Sequence, residues 1–541
     1  MIATSSDRVL RLTALVVPLL FGVVFYAYPV GAILVRGFES STGERVGEVL
    51  SSASFRQVAW FSLWQALVST ALTMIVALPA AYVVARYQFW GRRALRAFVV
   101  VPFVLPTVVV AGAFEAVFAR FGLDGGTIDL RHSVFAVLLA HVFFNYAVVV
   151  RVVGTFWEQL DYRPEQAARV LGATPLKAFR KVTLPRLRPA LGSAAAIVFL
   201  FSFTSFGVIL ILGGPRIATV ETEIWRYAVS RSEFDVAATL AVVQLIAVVA
   251  LVMLTTRSGR THSVDAVVMS SAVRRTDSPR QRLSLAGVIA MTVGLLGVPI
   301  FTLIERSLAV GDGYGLSNYQ ALTSRVSLLP TSPASALANS LLYATLAALI
   351  AATIGTLASL AASEGRGIGS ILDIGLTLPL GTSAVTLGLG ILIALDSPPL
   401  DFRSRWWIVP VVHSLIGIPF VLRSVLPALR GVGPNLRDVA RTLGASPARV
   451  RREVDAPLAA RAILVGTAFA FAVSLGEFGA TSFVPRRPST TTAPVAIFRL
   501  LGQPGDLLRG QAMALSVILM IVTALSALLI ERSSGANGGL L

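Results

Sequence analysis

Long apolar stretches alternate with short polar ones along the whole chain. Twelve of the apolar stretches carry almost no charge, and each is close to the roughly 20 residues that a helix needs to cross a membrane. The pattern therefore predicts an all-α, polytopic membrane protein with about twelve transmembrane helices. The stretches are 12–35, 58–85, 97–119, 133–150, 189–212, 236–256, 283–304, 336–363, 369–395, 406–422, 462–484 and 510–530.

Prolines interrupt the third stretch of each half. Pro102 and Pro106 lie in the first half and Pro379 in the second. Because proline lacks a backbone N–H and clashes with the preceding turn, we expect these third helices to be kinked. Neighbouring groups must then satisfy the freed carbonyls.

The last six stretches repeat the first six. At a constant offset of 272 positions, His141 corresponds to His413 and Gly172 to Gly444. Rare residue types would not stay in register over this distance by chance, so we infer two homologous six-helix halves. Because six is even, both halves have the same topology, and transport pathways commonly lie at the interface of such repeats. Further pairs are Arg151 and Arg423, Pro175 and Pro447, Pro185 and Pro457, Ser202 and Ser474, and Phe206 and Phe478.

A polar stretch with six Arg separates the two halves. We expect a first transmembrane domain over 1–256, a cytoplasmic linker over 257–282 and a second transmembrane domain over 283–541.

Composition supports the membrane class. The 541 residues are 55% hydrophobic and 14% charged, with a mean hydropathy of +0.77, whereas a soluble domain carries about 25% charged residues. The net charge of +18 follows from cytoplasmic loops that obey the positive-inside rule, so we expect no nucleic-acid partner. Arg placement predicts a multi-pass membrane protein with both termini cytoplasmic. Only the loop with Arg403 and Arg405 departs from the positive-inside rule, because this orientation places it on the outer side.

Two absences limit the chemistry. The chain has no cysteine, and its four His make no close cluster in the sequence, so a structural zinc site is not expected. The only lysines are Lys177 and Lys181, and neither follows a glycine. A phosphate-binding Gly-Lys-Ser/Thr loop is therefore excluded. We expect no cofactor on this chain, and any ATP used through such a loop must bind a partner.

Two polar segments, 164–181 and 436–453, each follow the fourth apolar stretch of their half. In the first, Glu165 suits the positive end of a short helix, Gly172 allows a tight turn and Pro175 suits the start of a second helix. This pattern predicts an exposed helix–turn–helix element that can dock in a groove of another protein. The alternative is an ordinary basic loop at lipid head groups.

The first segment resembles a known coupling motif. Gln166-Ala167-Ala168-x-x-x-Gly172, followed by Pro185, is similar to the "EAA" loop of membrane subunits of type I ATP-binding-cassette (ABC) importers. Gln166 departs from the usual Glu, and the second copy reads Asp438-Val439-Ala440. The resemblance implies that the ATPase-coupling residues are Glu165, Gln166, Ala167, Ala168, Gly172, Pro175, Pro185, Asp438, Ala440, Gly444, Pro447 and Pro457.

Further motifs resemble fused permeases of the thiamine and ferric-iron branch. They are Phe61-Ser62-Leu63-Trp64-Gln65-Ala66, Leu139-Ala140-His141-Val142-Phe143-Phe144-Asn145, Phe203-Thr204-Ser205-Phe206-Gly207, Leu212-Gly213-Gly214-Pro215 and Ser474-Leu475-Gly476-Glu477-Phe478-Gly479. The resemblance implies import of thiamine or its phosphates, with ferric iron as the alternative. It also implies two cytoplasmic ATPase subunits that use ATP and Mg²⁺, an extracytoplasmic solute-binding protein, and alternating access without covalent chemistry.

A carboxylate within a span is by default a functional candidate. Glu477 lies opposite Ser205 in the repeat, beside Phe478 and Phe206, and would suit a cationic aromatic solute. The alternative is that Glu477 hydrogen-bonds a neighbouring helix. The candidate solute path comprises Ser205, Phe206, Glu477, Phe478, His141 and His413, although the His pair could equally form inter-helix hydrogen bonds. Glu115 and Asp373 lie near helix ends and are expected to be interfacial.

Two other classes compete with this interpretation. An ion-gradient-driven secondary transporter would share twelve helices and a parallel repeat, but it would not need duplicated coupling segments. A membrane enzyme would need a cluster of His, Asp or metal ligands at one face, and the sequence shows none.

Overall fold

The computed structural model describes residues 5–38, 43–125, 128–260, 278–363, 368–396, 400–431, 434–484 and 488–534. Helices dominate these residues. In the first half they are α1 (Ser5–Gly22), α2 (Tyr28–Phe38), α3 (Gly43–Ser51), α4 (Ala53–Arg86), α5 (Arg92–Val104), α6 (Thr107–Arg120), α7 (Val134–Gln159), α8 (Arg163–Val170), α9 (Pro175–Ala178), α10 (Leu184–Phe203), α11 (Gly207–Leu212), α12 (Val220–Trp225) and α13 (Phe234–Arg260).

The second half follows the same order. Its helices are α14 (Pro279–Leu308), α15 (Ser317–Gln320), α16 (Pro333–Ser363), α17 (Ile368–Thr377), α18 (Ala384–Ala394), α19 (Ile408–Arg430), α20 (Pro434–Thr442), α21 (Pro447–Val450), α22 (Ala456–Leu475), α23 (Ala493–Leu501) and α24 (Asp506–Ser534). Two antiparallel hairpins pair β1 (Asp124–Gly125) with β2 (Ile128–Asp129) and β3 (Ala309–Val310) with β4 (Gly313–Tyr314).

Ten helices of the described residues are long and apolar enough to cross a membrane. The third apolar stretch of the first half is instead a broken pair, α5 and α6, bent by 104°. Pro106 lies at this break as the N-cap residue of α6. In the second half a 3₁₀ turn at Leu378–Gly381, which contains Pro379, separates α17 from α18. Each third stretch therefore forms two short helices with a break at Pro106 or Pro379, whereas Pro102 lies within α5 and does not interrupt it.

The fifth stretches differ from their predicted single helices over 189–212 and 462–484. In the first half, α9 and α10 belong to one continuous helix from Pro175 to Phe203, and this helix ends before α11. The second ends at Leu475. Close packing explains the first break: a Cβ on Gly207 would overlap the Thr107 side chain. Only a chain without a side chain at this point can approach α6 so closely.

The two halves exchange their first helices. α1 packs against α16 and α17, and α2 packs against α18, whereas α14 packs against α5 and α6. The repeats are therefore not separate packing units, because each contributes a helix to the other. Of the expected linker, 257–260 continue α13 and 279–282 belong to α14. The intervening 261–277 lie outside the described residues.

Candidate functional site

The first polar segment forms an exposed helical hairpin. Every residue of α8 is exposed or half-buried. Gly172 follows with a φ of +86°, and the Ala173 N–H donates to the Ala168 carbonyl at 3.0 Å. This left-handed ending satisfies the last carbonyls of α8 and turns the chain into α9. At the tip, the Val170 and Leu171 side chains are 86% and 87% exposed. Adjacent apolar side chains that are this exposed are typical of a surface that contacts another protein.

The second polar segment has the same backbone geometry despite its different sequence. Gly444 has a φ of +84°, and the Ala445 N–H donates to the Ala440 carbonyl at 3.0 Å. Leu443 is 82% exposed at the tip. Asp438 is exposed and pairs with Arg441 at 3.2 Å. The remaining coupling prolines all lie at helix starts, namely Pro175 in α9, Pro185 in α10, Pro447 in α21 and Pro457 in α22.

A side-chain clasp ties each segment to the start of the following membrane helix. In the first half, the Thr183 hydroxyl donates to Glu165 Oε2 at 2.6 Å. At the corresponding positions of the second half, Arg437 Nε donates to Asp455 Oδ1 at 2.8 Å. The carboxylate and the donor have thus exchanged places, and the contact persists. Sequence reasoning missed this clasp, although the offset of 272 aligns both of its positions.

An aromatic contact also anchors the first segment. Phe179, in the turn between α9 and α10, stacks on Trp157 of α7 with ring centroids 5.9 Å apart and an interplanar angle of 27°. The second half has Arg451 and Leu429 at these positions. The stack therefore attaches the turn after α9 to α7, and the clasp attaches α8 to Thr183, the residue before α10.

Glu477 is held by its neighbours in the structure. Its carboxylate accepts from the backbone N–H groups of Ala480 at 2.7 Å and Thr481 at 2.9 Å, and from the Thr481 hydroxyl. His413 Nε2 lies 3.3 Å from Glu477 Oε2. The carboxylate therefore caps the turn after α22, which is the hydrogen-bonding alternative raised by the sequence.

The two equivalent histidines lie in helix contacts. His413 Nδ1 is 2.8 Å from Ser474 Oγ, and His141 Nδ1 is 2.9 Å from Ser69 Oγ. Both are buried. The pair differs at Nε2, because that atom of His141 has no hydrogen-bond partner within the described part of the chain. These contacts correspond to the inter-helix alternative for both residues.

Aromatic rings meet where the two halves join. Phe206 and Phe478, which are equivalent in the repeat, stack with centroids 5.4 Å apart and an interplanar angle of 24°. Phe478 also contacts Phe498 at 5.2 Å, and Phe206 contacts Trp225 at 6.2 Å. Ser205, immediately before this aromatic layer, is half-buried. The structure thus brings three candidate path residues, Ser205, Phe206 and Phe478, to the interface between the halves.

A cavity of about 490 Å³ lies beside this layer and draws on both halves. Phe498 belongs to both features. Glu115, near the end of α6, lines the cavity together with Arg509 of the other half. The remaining lining residues are Ala119, Asp124, Arg131, His132, Leu210, Ile211, Gly214, Pro215, Arg226, Leu501, Gly502, Gln503, Pro504 and Met513.

The cavity and the coupling segments lie at opposite ends of the helices. The 26-residue helix α7 leads from the cavity-lining loop at His132 to the start of α8. At 1.5 Å per residue this helix is about 39 Å long, enough to cross a membrane. No group of three His, Asp or Glu that could hold a metal occurs in the parts of the chain that the structure describes.

Comparison with known proteins agrees with this arrangement. The family described as "Binding-protein-dependent transport system inner membrane component" matches residues 75–260. The sulfate transport system permease protein CysT of Salmonella typhimurium is 30% identical over 261 residues, which cover 47% of this chain and 94% of CysT. The chain belongs to this family of inner-membrane transport components. It is thus a multi-pass permease of the ABC importer class and not an enzyme by itself.

Longer relatives match this permease almost from end to end. The thiamine transport system permease protein ThiP of Brucella abortus (strain 2308) is 26% identical over 520 residues, covering 94% of this permease and 93% of the relative. ThiP of Escherichia coli (strain K12) is 26% identical over 491 residues, covering 89% of each chain.

Proposed function

We propose that this permease imports thiamine or its phosphates across the bacterial plasma membrane. The observation that carries the proposal is the similarity over nearly the whole chain to permeases named for thiamine transport. The cavity between the halves adds physical support. It combines the Glu115 carboxylate and the Phe498 ring, which attract a cationic aromatic group, with Arg131, Arg226 and Arg509, which attract a phosphate.

Glu115 replaces Glu477 as the carboxylate that we assign to the solute. The Glu477 oxygens are occupied by two backbone N–H groups, a hydroxyl and His413. Releasing them would leave buried polar groups without partners, which is costly in an apolar interior. Glu115 faces the cavity, and its attraction to Arg509 involves no direct ion pair within the described residues.

ATP-driven coupling completes the proposal. Two cytoplasmic ATPase subunits, which use ATP and Mg²⁺, dock on 164–181 and 436–453, while a solute-binding protein delivers solute at the opposite face. The two packing units, each of which includes the first helix of the other half, then rock about their interface, with the linker 257–282 and both termini in the cytoplasm. The clasps support this proposal because they would transmit a displacement of α8 or α20 to the membrane helix that follows.

Uptake by the complete transporter tests the solute. Proteoliposomes that contain this permease, its ATPase and its binding protein should take up radiolabelled thiamine when ATP is supplied. Glu115→Gln, which keeps the shape and removes the charge, should reduce uptake about tenfold, as expected for loss of a charge interaction of about 1.4 kcal/mol. Absence of ATP-driven thiamine uptake, together with ATP-driven uptake of ferric iron or sulfate by the same proteoliposomes, would contradict the proposal and favour one of those solutes.

Substitution at Gly172 tests the coupling role. A β-branched residue is strained at a φ of +86°, whereas asparagine tolerates this region. Gly172→Val should therefore reduce both ATPase co-purification and uptake, and the matched control Gly172→Asn should keep most of both. The same pair applies at Gly444, with its φ of +84°. Equal co-purification and uptake for the valine and asparagine variants would refute the coupling role of this turn.

A further inference from the structure

A second, smaller hollow lies at the first coupling segment. Its volume is about 280 Å³, and it is lined by Thr174, Leu176, Lys177, Arg180 and Lys181. Three of these five lining residues are cationic, and they include both lysines of the chain. Such a concentration of positive charge around one hollow is unfavourable unless an anion is nearby.

Carboxylates do not neutralise these cations. Among the described residues, Lys177, Arg180 and Lys181 form no ion pair with Asp or Glu. Other exposed basic residues of the coupling segments do pair, such as Arg441 with Asp438 at 3.2 Å. These three cationic side chains are therefore exposed and have no carboxylate partner among the described residues.

The repeat supplies an internal comparison. Arg449, Arg452 and Glu453 occupy the equivalent positions in the second half. There Arg449 Nε pairs with Glu453 Oε1 at 3.0 Å. The first set has a formal charge of +3 and the second of +1. Because both segments share one backbone geometry, the extra charge of the first is not needed to form the helical hairpin.

The basic surface continues further toward the membrane in the first half, with two arginines, than in the second half, where Arg461 is the exposed arginine in the first turns of α22. Arg186 and Arg188 follow within the first turns of α10 and are exposed. Leu458 and Ala460 take their places in α22. At this depth a spanning helix passes through the layer of lipid head groups, where basic side chains meet anionic lipids.

We propose that Lys177, Arg180 and Lys181 bind the phosphate-bearing head group of an anionic phospholipid. The guanidinium of Arg180 matches two phosphate oxygens, and the two ammonium groups add charge from either side. Leu176, which is 64% exposed, can contact the apolar part of the lipid. This site tethers the first coupling segment to the membrane, and the second segment has no equivalent. The inference is independent of which solute is carried.

A reciprocal pair of variants tests the site in the full-length permease without ATPase. Lys181→Glu places a carboxylate four residues after Lys177, the spacing at which Arg449 pairs with Glu453 in the second segment, so the helical hairpin should be preserved. Glu453→Lys gives the second segment the charge of the first. Short-chain phosphatidylglycerol, short-chain phosphatidylcholine and inorganic phosphate are titrated separately, and bound ligand is counted by native mass spectrometry.

We expect phosphatidylglycerol to bind the unmodified permease. Each charge near a lipid surface changes the affinity about fivefold, and Lys181→Glu changes the charge by two, so this variant should bind phosphatidylglycerol on the order of thirtyfold more weakly. Glu453→Lys should add a second bound lipid. Phosphatidylcholine should bind weakly to every variant. Unchanged phosphatidylglycerol binding by Lys181→Glu would overturn the proposal, and equally tight binding of inorganic phosphate would overturn the lipid assignment. In a separate co-expression with the ATPase, loss of ATPase co-purification by Lys181→Glu, with unchanged lipid affinity of the permease alone, would overturn the proposal and assign the charges to the ATPase.

Discussion

The clasp of the second coupling segment can be exchanged for that of the first. Arg437→Glu places a carboxylate opposite Asp455. Adding Asp455→Thr then recreates the pair formed by Glu165 and Thr183. We expect the single variant to loosen α20 from the start of α22, and the double variant to restore much of the contact.

The structure sets the size of the effect. Arg437 and Asp455 lie 2.8 Å apart, with side chains 27% and 11% exposed. A hydrogen bond between charged groups in such a partly buried site contributes about 2 kcal/mol, so its loss makes local opening of α20 roughly thirtyfold more frequent. Repulsion between the two carboxylates of the single variant adds to this loss. The restored hydroxyl–carboxylate bond should recover about 1 kcal/mol.

Hydrogen exchange of the amides in α20 and α21 measures this opening in the purified permease. Arg441→Gln is the matched control, because its ion pair with Asp438 is exposed, with side chains 54% and 64% accessible, and such pairs contribute at most about 1 kcal/mol. ATP-driven uptake by the complete transporter should fall in the Arg437→Glu variant, recover in the double variant and stay unchanged in the Arg441→Gln control. Identical exchange in the Arg437→Glu variant and in the double variant would show that the clasp does not hold the segment.

Two further predictions concern the membrane interior. His413→Phe removes the partner of Glu477 and should lower the free energy of unfolding by about 2–4 kcal/mol. The matched variant His141→Phe loses one hydroxyl contact and should lower it by about 1 kcal/mol. Equal shifts of the melting temperature in the two variants would refute the role of His413 as the partner of Glu477. Gly207→Ala forces a methyl group into α6 and should destabilise by about 1–3 kcal/mol. Gly192→Ala meets open space and should stabilise by about 0.5–1 kcal/mol, so a loss of stability there would contradict the packing argument.

Much of the site was predictable where its cause is local. The turns at Gly172 and Gly444 depend on one left-handed residue in each segment, and both were expected from the sequence. The breaks at Pro106 and Pro379 follow from the covalent structure of proline. The clasps were missed because their two members are 18 positions apart and exchange chemical character between the halves.

The sequence by itself determined the membrane class, the residue repeat at an offset of 272 and the two polar segments with their glycine turns. Each of these depends on apolar length, on residue types in register, or on the backbone preference of a few residues. Only the tertiary structure decided which buried groups meet. In the structure Glu477 contacts His413, and Glu115 lines a cavity together with Arg509. The first helix of each half packs against the other half. Apolar membrane helices carry little information about their neighbours, because lipid and protein surfaces are similarly apolar. Packing therefore selects the partners of the few polar side chains.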